Sequence, residues 1–84
     1  MRTFNRPVPT VSTALPDIIG TETNQVSALA LQAPAANVGT IFFGNKSEQP
    51  FELRPEANAI LPINQIRDVH IWGTVGDRVS IGLF

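Results

Sequence analysis

Apolar and polar residues alternate through the second half of the chain. Phe51-Glu52-Leu53-Arg54, Asp68-Val69-His70-Ile71-Trp72 and Arg78-Val79-Ser80-Ile81-Gly82-Leu83-Phe84 each follow a period of two, the signal of a strand with one buried face. Val38-Gly39-Thr40-Ile41-Phe42-Phe43 is β-branched and aromatic and ends at Gly44. Ala59-Ile60-Leu61-Pro62-Ile63 is a further short strand, which Pro62 places at a sheet edge or a strand end. Val26-Ser27-Ala28-Leu29-Ala30-Leu31-Gln32 has helix-compatible Ala and Leu, but no capping box precedes it and Pro34 follows, so a strand is expected. Turn residues separate the runs: Pro34-Ala35-Ala36-Asn37, Asn45 to Pro50, Pro55-Glu56-Ala57-Asn58 and Gly73-Thr74-Val75-Gly76-Asp77. Asn64-Gln65-Ile66-Arg67 reads as a connection with room for one 3₁₀ turn. Strands at spacings of about ten residues predict an all-β fold, a small antiparallel β-sandwich or barrel of about six strands.

The alternation also predicts which side chains face inward. Ile41 and Phe43 (or Phe42), Phe51, Leu53, Val69, Ile71, Val79, Ile81 and Leu83 fall on one set of faces. Phe42, Trp72 and Phe84 then point outward beside small residues, and outward aromatics on a strand mark a second contact surface.

Residues 1–25 read differently from residues 26–84. Pro7, Pro9 and Pro16 punctuate them, with threonines and serine between. Proline fixes φ, removes a backbone donor and biases the preceding residue toward extended geometry, so Pro7-Val8-Pro9 is expected to be extended. Pro16-Asp17-Ile18-Ile19-Gly20 suits either one helical turn or a tight loop. Phe4, Val8, Val11, Leu15, Ile18 and Ile19 are more apolar residues than a solvated tail usually carries. The segment is therefore expected to be an extended N-terminal arm that orders against another surface, with 26–84 as the sandwich domain.

Composition turns this picture toward assembly. The chain has 84 residues, no cysteine, six basic and seven acidic residues, and a formal charge of −1. Its charged fraction is 15%, well below the ~25% of an ordinary soluble domain. No basic patch of the size needed for sequence-independent nucleic-acid binding can be built from six cations. No run approaches the ~18 apolar residues of a membrane span, and no signal-peptide run opens the chain, so synthesis in the cytoplasm with a mature start at or near Met1 is expected. A sandwich of about 60 residues buries too little surface to be comfortably stable alone, and disulfides are excluded. Oligomerisation is the remaining route, and charge depletion fits surface that other subunits cover. A homo-oligomer is expected, its subunit or partner interfaces formed by Phe4, Val8, Val11, Leu15, Ile18, Ile19, Phe42, Trp72 and Phe84. Attachment through several weak arm contacts would act multivalently.

Constellations for catalysis are sparse. His70 is the one histidine; Asp68, two residues away, is its nearest acid in sequence, and Ser80 lies in a strand rather than a nucleophile elbow. Asp68 and His70 also suit a two-residue contribution to a metal site on a symmetry axis, or a plain solvent-facing strip. Glu48, Glu52 and Glu56 read as solvated rim charges beside Lys46 and Arg54. The glycines flanking residues 39–44 and 73–76 are not followed by the Lys-Ser/Thr and helix of a phosphate loop. Asn45-Lys46-Ser47 fits the glycosylation triplet without a secretory signal. Trp72, Phe42 and Phe43 suit packing or an interface more than a sugar platform, since no cluster of amide and carboxylate side chains accompanies them. No catalytic residue, cofactor or metal is expected.

The stretch from Asn37 to the C-terminus resembles small virion proteins of tailed bacteriophages, of the capsid decoration (cement) or head-fibre kind. The resemblance rests on Asn37-Val38-Gly39-Thr40-Ile41-Phe42-Phe43-Gly44, Phe51-Glu52-Leu53-Arg54-Pro55-Glu56-Ala57 and Ile60-Leu61-Pro62-Ile63-Asn64. It continues in Val69-His70-Ile71-Trp72-Gly73-Thr74 and Gly76-Asp77-Arg78-Val79-Ser80-Ile81. Pro55-Glu56-Ala57 lacks the glycine such chains carry in that turn. The resemblance implies a β-fold, a symmetric oligomer, most often a trimer, and attachment to the major capsid protein of a shell through loops or an N-terminal arm. It carries no catalytic residues. The expected function is a decoration protein that binds and stabilises the outer capsid shell on the virion. The alternative is a head-fibre or tail-associated β-domain that binds host-surface glycans.

Overall fold

The computed structural model describes residues 2–20 and 25–84. Among these, eight strands form two antiparallel sheets of four. The first sheet contains β1 (Arg2–Pro7), β3 (Leu29–Gln32), β6 (Asn58–Leu61) and β8 (Arg78–Leu83), in the order β1-β8-β3-β6. The second contains β2 (Thr13–Ala14), β4 (Ile41–Gly44), β5 (Phe51–Leu53) and β7 (His70–Trp72), in the order β2-β7-β4-β5. No ladder joins one sheet to the other, so the fold is a sandwich and not a closed barrel. One short helix, α1 (Leu15–Ile19), and a 3₁₀ turn at Ile66–Asp68 complete the described elements.

Every connection but one crosses between the sheets. Odd-numbered strands run toward one end of the sandwich and even-numbered strands return from it. Loops 8–12, 33–40, 54–57 and 73–77 therefore lie together at that end. The core fills the space between the sheets: Leu29, Leu31, Val79, Ile81 and Leu83 from the first, Ile41, Phe43, Leu53 and Ile71 from the second. The predicted inner faces of β4, β7 and β8 are observed, with Phe43 rather than Phe42 inward.

Phe51 departs from its predicted place. It pairs with Phe43 and shares that side of the sheet, but β5 is an edge strand, and Phe51 remains 60% exposed. Asp68 departs as well, sitting in the 3₁₀ turn rather than on a strand with His70.

The largest difference from the sequence expectation is at the N-terminus. Residues 2–20 are part of the sandwich, not an arm standing apart from it. All six residues of β1 pair with β8, from Arg2 opposite Leu83 to Pro7 opposite Arg78. Thr13 and Ala14 pair with Ile71 and His70. Leu15 and Ile19 of α1 then close the far end of the core against Ile66. Pro16 occupies the first turn of α1 and Gly20 ends it with φ 70°. The surface on which this segment orders is the domain's own. The physical reason is the core: strands β3 to β8 alone leave β8 as a bare edge and the bottom of the interior open. The radius of gyration of 11.3 Å is that of a compact chain of this length, about 12 Å. The part of the predicted arm at residues 21–24 lies outside the described residues.

Candidate interaction surfaces

The loops at one end are held by a buried polar latch. Asp77 is 4% exposed, and its carboxylate accepts the backbone N–H of Val38 at 2.9 Å and of Gly39 at 2.8 Å. Asn37 completes the tie: its Nδ2 donates to the Arg78 carbonyl at 2.7 Å, and its Oδ1 accepts the Arg78 N–H at 2.9 Å. A side-chain amide thus imitates one rung of a ladder between β8 and loop 33–40. The neighbouring loop joins through Val8 N–H to the Asp77 carbonyl at 3.0 Å and Gly73 N–H to the Pro9 carbonyl at 2.8 Å. A buried carboxylate is tolerable only when it is hydrogen-bonded, and the Val38 and Gly39 N–H groups supply one bond to each oxygen of Asp77.

What the latch presents is apolar. Val11, Val38 and Val75 stand on three adjacent loops and are 71%, 82% and 78% exposed. Asp77 is the one charged residue in segments 8–12, 33–40 and 73–77, and it is buried. Asp17, Lys46, Glu48, Arg67 and Asp68 lie in segments at the other end. The three valine-bearing loops are therefore tied together through their backbones, uncharged on their surface and apolar at their tips, while the neighbouring loop 54–57 exposes Arg54 and Glu56 at the same end. Sequence reasoning passed over Val38 and Val75. Their flanking turn residues, Asn-Val-Gly and Thr-Val-Gly-Asp, are the signal that places a valine at a loop tip.

The outward aromatics behave differently. Phe42 and Trp72 face each other across β4 and β7 on the outer face of the second sheet, stacked with centroids 4.5 Å apart and an interplanar angle of 21°. Each covers much of the other, and both are half-buried. Phe84 is 53% exposed just beyond β8.

The outer face of the first sheet is a shallow groove of about 510 Å³. Register lines up Thr3, Gly82, Ala30 and Ile60 in one row, and Asn5, Ser80, Gln32 and Asn58 in the next. The small residues of the central strands form the floor. The second row is wholly uncharged amide and hydroxyl, and Asn5 Nδ2 donates to Ser80 Oγ at 3.1 Å.

The predicted interface residues thus separate. Val8, Leu15 and Ile19 are interior and have no free surface for a partner. Phe4 and Ile18 are half-buried and pack against the core. Val11 and Phe84 are exposed, and Phe42 and Trp72 form the stacked pair.

Asp68 and His70 do line one hollow of about 390 Å³ with Ser47, Asn45, Lys46 and Arg67. The buried Nδ1 of His70 makes no hydrogen bond, so the carboxylate–imidazole link of a relay is missing there. Among the described residues no group of three or more His, Cys, Asp or Glu is placed to hold a metal. Glu48, Glu52 and Glu56 are spread from the loop before β5 to the turn after it. Asn45 is occupied locally, its Oδ1 accepting the N–H of Ser47 at 2.9 Å and of Glu48 at 2.8 Å. No helix among the described residues is long and apolar enough to cross a membrane. Compared with known proteins, the chain matches no family model, no curated protein and no solved structure.

Proposed function

We propose that the chain is a virion structural protein, a capsid decoration protein that binds the outer shell as a homo-oligomer, in the trimeric form the resemblance implies, and stabilises it. The observation that carries this reading is the group of three valine-tipped loops, uncharged on their surface and held by Asp77 and Asn37. Preorganised loops lose little entropy on binding, so modest apolar burial at each tip becomes affinity. Three copies on a symmetric oligomer would bind a lattice multivalently. The motif residues behind the phage resemblance, Asn37, Gly39, Gly76 and Asp77, are the ones that build this end. Stabilisation then comes from surface buried across shell subunits, with no chemistry required.

The test is the protein content of purified particles, measured by quantitative mass spectrometry. A fixed ratio of this chain to the major shell protein supports the reading; its absence from particles overturns it.

The glycan-binding alternative is favoured by a different observation, the uncharged row Asn5, Ser80, Gln32 and Asn58 beside the groove floor of Ala30 and Gly82. Neutral amides and hydroxyls suit a neutral sugar. Retention on a glycan array, lost in Asn58→Ala and Gln32→Ala, distinguishes it.

A further inference from the structure

Among the described residues, β1 is the longest edge strand of the sandwich and has no strand paired on its outer side. The other edge strands have two, three and four residues, and Pro62 follows the last of these directly. Short edges and proline are the usual protections against unwanted strand addition. β1 has six residues, with proline only at its end. Its own sequence supplies a different pattern. Arg2, Phe4 and Arg6 lie opposite Leu83, Ile81 and Val79, and so share one side of the sheet. The two guanidiniums approach the Phe4 ring at 5.4 and 5.2 Å from its centroid, and Arg6 also donates to the Asn5 carbonyl at 3.1 Å.

We propose that this edge is a strand-addition site for an acidic, extended segment of a partner protein. Main-chain hydrogen bonds along β1 would supply the affinity, and the cation–aromatic–cation row would supply the selectivity. The complementary segment carries a carboxylate two residues on either side of an apolar residue. Each carboxylate then meets a guanidinium in charge-assisted contact, and the apolar residue covers Phe4. The row reads the same in both directions, so a parallel or an antiparallel segment satisfies it.

The same charges argue against a second copy of this chain. Antiparallel pairing of two β1 strands about a two-fold axis through Phe4 places Arg2 opposite Arg6 of the other copy, twice. Like charges directly opposite one another are destabilising. The site is the edge of the strand that leads into loop 8–12, uses none of the exposed valines, and does not depend on the virion reading.

The test uses NMR titration of the ¹⁵N-labelled protein with four blocked peptides: Thr-Glu-Thr-Val-Thr-Glu-Thr, its lysine-for-glutamate counterpart, and two forms of the glutamate peptide N-methylated at alternate residues, one in each phase. The glutamate peptide should shift the amides of β1 and its β8 neighbours. The lysine peptide should bind about tenfold more weakly, the sum of two exposed ion pairs, and R2E/R6E should reverse that preference. N-methylation in one phase should abolish binding. Three results overturn the proposal: no β1 shift at millimolar glutamate peptide, equal binding of the two charge forms to the unmodified chain, or full binding of both N-methylated peptides. The last result would assign the site to acidic surfaces in general rather than to an added strand.

Discussion

Asp77 and Gly39 are locked together. The carboxylate Oδ2 accepts the Gly39 N–H at 2.8 Å. A side chain at residue 39 has no room, because its Cβ would stand 2.9 Å from Thr74 Cβ and overlap Thr74 Oγ1. The contact joins loop 33–40 to the hairpin 73–77 and sets the geometry of the valine-tipped end. Asp77→Ala leaves the Val38 and Gly39 N–H groups without an acceptor. It should cost about 3 kcal/mol, read from urea denaturation, and Asp77→Asn should cost less because one acceptor remains. A loss under 1 kcal/mol for the alanine variant would remove the latch from the account.

Glu56 holds φ at 71°, the one left-handed non-glycine residue among those described. The Ala57 N–H bonds the Arg54 carbonyl at 2.9 Å, and Pro55 precedes, so the turn is type II with Glu56 at the position that prefers glycine. Glu56→Gly should stabilise the fold by about 0.5–1 kcal/mol, the relief of left-handed strain less the added freedom of the unfolded chain. A lowered denaturation midpoint would show that Glu56 makes a compensating contact.

Leu15 is fully buried between α1 and the sheets. Leu15→Ala should destabilise by about 2–5 kcal/mol, and removing residues 2–20 should abolish cooperative unfolding altogether. Amide dispersion in the NMR spectrum of the truncated chain decides the matter. A well-dispersed spectrum would restore the separate-arm description.

Phe42 and Trp72 stack on the outer face of the second sheet. A double-mutant cycle with Phe42→Ala and Trp72→Ala should give a coupling of about 0.5–1.5 kcal/mol. Trp72 emission should change in Phe42→Ala while the fold persists. Zero coupling would mean that the two rings serve a partner and not each other.

Much of the sandwich is legible in the chain because β7 and β8 alternate strictly and β4 is a β-branched and aromatic run, with Gly44, Gly73 and Gly76 marking the turns beside them. β1 is not, for a physical reason: an edge strand that covers the rim of the core needs one apolar inward residue. Phe4 is flanked by Arg2 and Arg6 at the positions where alternation would ask for hydrophobics. β2 is two residues long and has no periodicity to show. The apolar residues of residues 1–25 were visible, but whether they face a partner or their own core depends on long-range pairing with β8 and β7. The candidate surface was half legible. Asn37, Gly39 and Asp77 stand out as a motif, and only the fold shows that they serve the backbone while Val38 and Val75 face solvent.

The measurement that tests the central claim most directly is binding of the purified chain to shells stripped of it, followed by co-sedimentation, for the unmodified chain and for V38D/V75D. Both valines are exposed tips, so the variant should unfold within about 0.5 kcal/mol of the unmodified chain. The unmodified chain should saturate the shells at a fixed ratio, and the variant should remain in the supernatant. An unmodified chain that stays in solution, or a variant that saturates the shells equally, would contradict the account.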